Sequence, residues 1–393
     1  MEDDPAFRAE ARGWLEERVR GEYAGLDGGA GEIHQGWAAR RAWERELGRA
    51  GWIGLGWAEG GHGNRTASPA QRVVWAEEYA RARAPLRIGH MGENLLGPTL
   101  VAFGDEEQKR RFLPAIARGG ELWCQGYSEP DAGSDLAAVR TSAVRDGTGY
   151  RVTGQKVWTS LAREADWCFV LARTDPAAAR HHGLSFLLVA MDQPGVEVRP
   201  IRQLTGTSEF NEVFFDGARA AHVVGGEGHG WRVAMSLLAA ERGVAVLAQQ
   251  IGFESELADV LRTAVREGTA EDPVIRERLI RQWAELRVMR WTALRALAGA
   301  PDPGAPSRAP DPGAPSVAKL LWGGWHQRLG ELALAVRGPG AATGPGVWDG
   351  RYGLDPGQRL FLFSRADTVY GGSDEIQRNI IAERVLGLPR ERS

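Results

Sequence analysis

The hydrophobic period of this chain changes twice, and that change constrains its fold more than any other feature. From about residue 5 to 120, apolar residues recur at three- and four-residue spacing. The spacing predicts helices over Ala6–Arg20, Gly36–Ala50, Ser68–Arg83 and Glu106–Arg118. Asp105 is placed to cap the last of these, with Glu106 and Glu107 in its first turn and Arg118 near its end, as the helix dipole favours. Between about 123 and 228 the pattern shortens to strand-like runs punctuated by Gly and Asp: Tyr150–Val152, Trp167–Ala172, Leu184–Met191, Val196–Ile201 and Glu212–Phe215. Helical spacing then returns over 231–266, 272–299, 316–336 and 374–386. Strands enclosed by two helical blocks predict an α+β protein. Its parts are an all-α N-terminal domain (1–122), a central β domain (123–228) and a C-terminal helical bundle domain (229–393).

Composition narrows the function. With 393 residues the chain can bury a large core and form two or three domains. A formal charge of −3 argues against nucleic acid or an anionic membrane as its main partner. Only Cys124 and Cys168 are present, which excludes a disulfide framework and a cysteine-rich metal site. His181 and His182 sit beside the loop-like Asp175–Arg180 stretch and read as solvated, so no metal is expected. Met1-Glu2-Asp3-Asp4-Pro5 lacks the basic and apolar regions of a signal peptide, and no apolar run reaches about 18 residues. These features predict a cytoplasmic protein without a membrane span. Pro-Asp-Pro-Gly-Ala-Pro-Ser occurs at 301–307 and 310–316 and reads as a helix–helix connection too poor in apolar surface to order itself. Most of the 15 tryptophans are expected in the core. Lysine occurs only at 109, 156 and 319, a bias that carries no functional conclusion by itself.

Candidate chemistry gathers in two stretches. In Ser128-Glu129-Pro130-Asp131-Ala132-Gly133-Ser134-Asp135, proline fixes φ, Gly133 permits positive φ, and the Ser and Asp side chains favour turns. Successive N–H groups in such a turn can form a concave anion site. In Gly154-Gln155-Lys156-Val157-Trp158-Thr159-Ser160, a regular strand would put Trp158 and Ser160 on one face. That face would offer a stacking plate and a hydroxyl to a planar, heteroatom-rich ring. Either stretch alone also fits an ordinary turn or a core tryptophan; their pairing points to a ligand.

With these stretches in place, the chain resembles the acyl-CoA dehydrogenases, which are FAD flavoproteins, nearly from end to end. Gly104-Asp105-Glu106-Glu107-Gln108-Lys109-Arg110-Arg111-Phe112-Leu113-Pro114 resembles the helix before the family's flavin loop. Asn211-Glu212-Val213-Phe214-Phe215-Asp216 resembles the exit of its β domain, and Val369 to Arg384, beginning Val-Tyr-Gly-Gly-Ser-Asp-Glu-Ile-Gln-Arg, its C-terminal signature. The resemblance implies a four-helix-bundle C-terminal domain and FAD-dependent α,β-dehydrogenation of an acyl-CoA or related acyl thioester. It implies backbone contacts from Gln125, Tyr127 and Ser128 to the isoalloxazine, Trp158 packed on the flavin, and Ser160 near N5. Ser134 would lie by the phosphate or pantetheine region, serving cofactor and substrate. Ser373 would cap a helix beside the cofactor, with Glu375 at ribose or adenine. Electrons would pass to an electron-transfer flavoprotein or similar acceptor, and the chain would form a homo- or hetero-oligomer, dimer or tetramer.

Two family features are altered. Many members place a carboxylate base between the Tyr and Gly of the C-terminal signature, where this chain has Gly371. A second family position for the base corresponds to Glu241, in the pair Glu241-Arg242. Glu241 falls within an apolar stripe formed by Ala234, Leu237, Leu238, Val244, Ala245, Ala248 and Ile251. Desolvation there would raise a carboxyl pKa toward the range an α-proton base needs. Arg242 is the matching candidate for a substrate contact. The second alteration is the absence of the family's Arg-x-x-Phe-Gly segment, replaced by Arg266-Glu267-Gly268-Thr269-Ala270-Glu271-Asp272-Pro273, with a blurred glycine stretch at 337–341. Three readings follow: an autonomous dehydrogenase with Glu241 as base, a non-catalytic subunit that completes a partner's FAD site, or a flavin oxygenase or oxidase on the same fold.

Overall fold

Side-chain caps set where the N-terminal helices begin. In the computed structural model, which describes residues 4–26, 33–57, 65–240, 245–298, 313–344 and 353–389, helix α1 (Pro5–Arg18) starts at Asp4, whose carboxylate accepts from the Phe7 N–H at 3.0 Å. Helix α2 spans Trp37–Arg49. Capping boxes at Ser68/Gln71 and Asp105/Gln108 open α3 (Pro69–Arg81) and α5 (Glu106–Ala117), each satisfying two orphan backbone donors. Between them a π-helical turn, Met91–Leu96, runs into the short α4 (Gly97–Phe103), neither of which the apolar spacing predicted. Trp43 and Trp52 are fully buried here, and Trp52 stacks on Trp75 with centroids 4.1 Å apart. Glu78, 3% exposed at its side chain, binds Arg8 and Arg12 of α1 and Arg81 of its own helix.

The central domain is a seven-stranded sheet curled into a ring. Its strands are β1 (Trp123–Gly126), β2 (Ser142–Asp146), β3 (Gly149–Ser160), β4 (Trp167–Arg173), β5 (Leu184–Ala190), β6 (Val196–Ile201) and β7 (Phe210–Val224). β4 runs parallel to β1 and β2 and antiparallel to β5, while β3 and β5 both flank β7. The sequence reading missed β1 and β2 and shortened β3 and β7. β1 is too brief to alternate, β2 is half exposed, and β3 and β7 contain Gly154 and Gly217 and shift register at Val152/Thr153 and Lys156/Thr159.

Helix α6 (Gly230–Ala240) leaves the last strand and buries Val233, Ala234 and Leu237 against the sheet, in the core that contains Tyr127, Phe169 and Phe186. Of the predicted helix 231–266, α6 and α7 (Ala245–Arg266) are described, and residues 241–244, including Glu241 and Arg242, lie outside the described residues. The bundle is completed by α8 (Pro273–Ala298), α9 (Ala314–Ala335), α10 (Pro356–Ser364) and α11 (Asp374–Ile380), which continues as a π turn over Ile381–Val385. α9 begins inside the second Pro/Gly repeat, with Pro315 in its first turn where a missing N–H is harmless. The remainder of both repeats, up to residue 312, lies outside the described residues. No described helix is long and apolar enough to cross a membrane.

The clasp on Glu78 predicts an acid-sensitive joint between α1 and α3. Desolvation would raise this carboxyl's pKa, but hydrogen bonds from Arg12 and Arg8 outweigh it and hold the value at about 2, against an ordinary 4.5. A lowered folded pKa means the stabilisation is present above about 4.5 and disappears as pH falls toward 2. Glu78→Gln should cost about 1–3 kcal/mol at neutral pH. The variant's melting temperature should also vary less with pH in that acid range; wild-type-like acid dependence in a scan of both proteins would refute the assignment.

Candidate functional site

The turn after β1 is built around a carboxylate that points inward. Glu129 and Ala132 exchange backbone hydrogen bonds at 3.0 and 3.1 Å, closing the turn through Pro130 and Asp131. The Glu129 side chain, only 8% exposed as a residue, accepts from the N–H groups of Arg140 at 2.6 Å and Thr141 at 2.9 Å. It also accepts from Lys156 Nζ at 2.8 Å. Lys156 is 0% exposed, and its remaining donors go to the carbonyls of Tyr127 at 3.0 Å and Leu171 at 2.8 Å. One ammonium thus joins the end of β1, the turn and β4, from its own place on β3. Burial raises the Glu129 pKa, but the Lys156 charge and the backbone donors outweigh it and leave the carboxyl below its ordinary range. Burial likewise draws the Lys156 pKa down, with Glu129 opposing.

The outer side of the turn is open. Ser128 is half-buried, while Asp131, Gly133, Ser134 and Asp135 are exposed. Among the described residues the N–H groups of Ser128, Gly133 and Ser134 have no acceptor. Two expectations for this turn need correction. Gly133 does not use positive φ, because Pro130 and the paired Glu129–Ala132 backbone already close the bend. The Asp135 carboxylate pairs with Arg180 instead of closing a local turn. Tyr127 sends its ring into the core, edge-on to Phe169 and Phe186, which leaves only its backbone toward the turn.

On β3 the regular strand expected to put Trp158 and Ser160 on one face is interrupted. Lys156 pairs with Val213 but Thr159 pairs with Asn211, so the ladder bulges at residues 157 and 158. Trp158 takes a left-handed backbone, φ 61°, as does Leu161 at 55°. That conformation costs an L-residue about 1–2 kcal/mol. The bulge is pinned by Thr159, whose carbonyl accepts from the buried Asn211 amide at 3.0 Å, and by Val157, whose N–H donates to the Ser128 carbonyl at 2.9 Å. The result is a tryptophan 58% exposed, edge-on to Phe210, immediately beside the turn. Gln125 on β1 and Ser160 at the end of β3 are half-buried.

The C-terminal signature forms a second group. Ser373 caps α11, its hydroxyl accepting from Ile376 N–H at 3.5 Å, and Glu375 stands exposed in the first turn. Gln377 donates to the carbonyls of Gly371 and Gly372, whose φ values are 65° and 86°. A Cβ at Gly371 would meet only Lys319, with Cε at 3.8 Å and Nζ at 3.9 Å. Lys319 is itself nearly buried and lies 3.9 Å from the Trp322 ring and 4.7 Å from that of Tyr370. The charge nearest position 371 is therefore positive. Gln125, Tyr127, Ser128, Ser134, Trp158 and Ser160 belong to the β domain, where the Val157 N–H joins the bulge to Ser128, whereas Ser373 and Glu375 belong to the bundle. Among the described residues no hydrogen bond or ion pair joins the two groups. Sequence reasoning missed Glu129, Lys156 and Lys319 as organising residues; lysine's rarity in an arginine-rich chain was the available signal.

An exposed indole beside open N–H donors fits a flat ring that carries heteroatoms, such as a flavin. The comparisons agree with that chemistry. The family models for acyl-CoA dehydrogenases match throughout: the N-terminal domain over residues 1–120, the middle domain over 124–218 and the C-terminal domain over 228–386. The chain is 56% identical to the acyl-CoA dehydrogenase IpdE1 of Mycobacterium tuberculosis, over 100% of this chain and 99% of that one. It is 54% identical to its namesake in Mycolicibacterium smegmatis, over 98% of each. Among solved structures it is similar to the Tcur3481–Tcur3483 steroid ACAD, with TM-score 0.84, 28% identity and 99% of each chain covered. The ChsE4–ChsE5 complex of Mycobacterium tuberculosis matches with TM-score 0.78, 29% identity and 98% of each chain covered.

The buried Lys156–Glu129 pair gives a direct test. Lys156→Met leaves a buried carboxylate unpaired and should destabilise the chain by about 3–5 kcal/mol, whereas Lys156→Met with Glu129→Leu should recover part of that loss. Denaturant titration of the three proteins checks it; a single variant as stable as wild type would dismiss the clamp.

Proposed function

The chain belongs to the acyl-CoA dehydrogenase family, an FAD-dependent oxidoreductase family, and from that premise we propose that it oxidises a bulky acyl-CoA thioester with Glu241 as the base. The observation that carries the reading is Trp158, held open on a strained bulge beside the donor-rich turn by the Lys156–Glu129 pair. When bound, FAD supplies the acceptor for the hydride that leaves the β carbon. The residues that hold it are Gln125, Tyr127 and Ser128 through their backbone, Trp158 by its ring face and Ser160 by its hydroxyl. Ser373 and Glu375 face the dinucleotide end.

Glu241 takes the proton from the carbon next to the thioester carbonyl. It follows directly on α6, the helix that packs into the same core as Tyr127. Gly371 has no group to take that proton, and a carboxylate placed there would face the Lys319 ammonium. Arg242 contacts the substrate near the thioester, and Ser134 its pantetheine side. Hydrogen bonds to the thioester carbonyl stabilise the developing enolate, each by roughly 3 kcal/mol.

Likeness to a steroid ACAD supports a polycyclic acyl group, for which the missing side chain at 371 leaves room. Likeness to the ChsE4–ChsE5 complex supports a hetero-oligomer, in which a second dehydrogenase chain supplies the grip on FAD that this chain, without Arg-x-x-Phe-Gly, does not provide. Electrons pass on to an electron-transfer flavoprotein or similar acceptor in the cytosol. A second reading, a non-catalytic subunit, is favoured by one observation: position 371, beside the Lys319 ammonium, has no side chain to act as a base.

An anaerobic visible spectrum, taken before and after steroid-derived acyl-CoA thioesters are added, tests the reading. The purified chain, alone or with a co-purifying partner, should bleach. Glu241→Gln should keep its flavin but bleach about 10²–10⁴ times more slowly, the share a general base supplies. Gly371→Glu in the Glu241→Gln background should not restore bleaching, because the new carboxylate pairs with Lys319. Full bleaching by Glu241→Gln would eliminate Glu241 as the base, and flavin that never bleaches with any thioester would favour the silent subunit.

A further inference from the structure

Behind the Tyr370–Gly372 turn lies a charged chain that the reaction above does not use. Asp367, 1% exposed, sits on the segment between α10 and α11 and holds three neighbours at once. Its Oδ1 accepts from the Tyr370 hydroxyl at 2.5 Å, its Oδ2 from His326 Nδ1 at 2.5 Å, and its carbonyl from the Lys319 ammonium. His326, 5% exposed on α9, donates its other ring nitrogen, Nε2, to Glu256 of α7 at 2.7 Å. Phe253 packs against the imidazole at 4.5 Å and against the Trp325 ring at 5.1 Å. With one carboxylate at each nitrogen, the imidazole satisfies both only when it carries both protons.

We propose that His326 is a positioning residue, which in its doubly protonated form fixes Asp367 and through it the Tyr370–Gly371–Gly372 turn at the edge of the site. This rests on reading that turn as part of the dehydrogenase site. Tyr370 is tied to the rest of the bundle through Asp367, and Gly371 and Gly372 are held from the other side by Gln377. Loss of one ring proton leaves a single N–H, so one carboxylate keeps its donor while the other loses it and faces a lone pair. Two positive-φ glycines give the turn no stiffness of their own.

The direction with pH follows from every charge around the ring. Burial lowers the His326 pKa, but the Glu256 and Asp367 carboxylates outweigh it and raise it from 6.5 to about 9. The opposing cation is Lys319, held on the Asp367 carbonyl. A raised folded pKa means the clamp is complete below about 6.5 and is lost as pH rises through about 9.

Hydrogen exchange of the 368–373 segment, corrected for intrinsic rates, tests this on the flavin-loaded protein with any partner that co-purifies. Wild type should lose protection as pH passes about 9. His326→Gln should start with less protection and show no such step. Glu256→Gln removes one carboxylate at the rim of the chain and should fold normally, with the step moved to lower pH. Bleaching by a thioester should follow the same steps, about ten- to hundredfold slower in His326→Gln. Wild-type exchange and an unmoved step in both variants would overturn the proposal while leaving the dehydrogenase reading intact. Steps in exchange without bleaching in any form, wild type included, would uphold the clamp and remove the dehydrogenase reading instead.

Discussion

A buried ammonium with three oxygens around it organises the β domain. Burying an ion costs several kcal/mol after relaxation, so Lys156 is tolerable only because every donor is used. Each hydrogen bond to a charged group returns about 1.5–3 kcal/mol, enough together to offset that penalty. The contacts have a second consequence, since Tyr127, Glu129 and Leu171 belong to different segments. Satisfying one nitrogen therefore fixes the turn against two strands. Arginine, which this chain uses almost everywhere else, presents a planar fork and would not converge on three oxygens from one point.

The strain at Trp158 depends on that clamp. A left-handed tryptophan is unfavourable by itself, and its indole loses burial as well. Both penalties persist because the residues on either side are fixed: Lys156 by its three acceptors, and Thr159 by Asn211 and its place in the ladder. An outlier over-determined by its neighbours is the usual mark of a functional position. The same turn that anchors the bulge leaves its own outer N–H groups open, so rigidity and ligand access come from one arrangement.

Much of the helical framework was legible in sequence, because capping is local. Asp105 and Gln108 announce α5 within four residues, and apolar spacing locates α3 and α8 closely. The strands were legible where alternation or an apolar run survives, as in β4 and β5, and not where pairing is imposed from outside, as in β1 and β2. The bulge could not be read, since it arises from register between β3 and β7. Within the candidate site the turn was recognisable by its Pro, Gly and Asp, but its chemistry was partly inverted. Glu129 faces inward, and Asp135 pairs with Arg180. A tertiary partner, invisible in a local window, decided each case.

Position 371 shows how a local charge constrains where a base can be. A carboxylate beside the Lys319 ammonium would be stabilised in its ionised form, its pKa pulled down, and its proton affinity weakened. An α-proton base needs the opposite, an environment that disfavours the charged form. For the proposed base, Glu241, the surrounding sequence is apolar, as such a group requires. Under the proposal of Glu241 as base, a base away from 371 and a cation behind the glycine are one electrostatic choice. With Lys319 where it is, a carboxylate at 371 would be held in its ionised form and would take up a proton reluctantly.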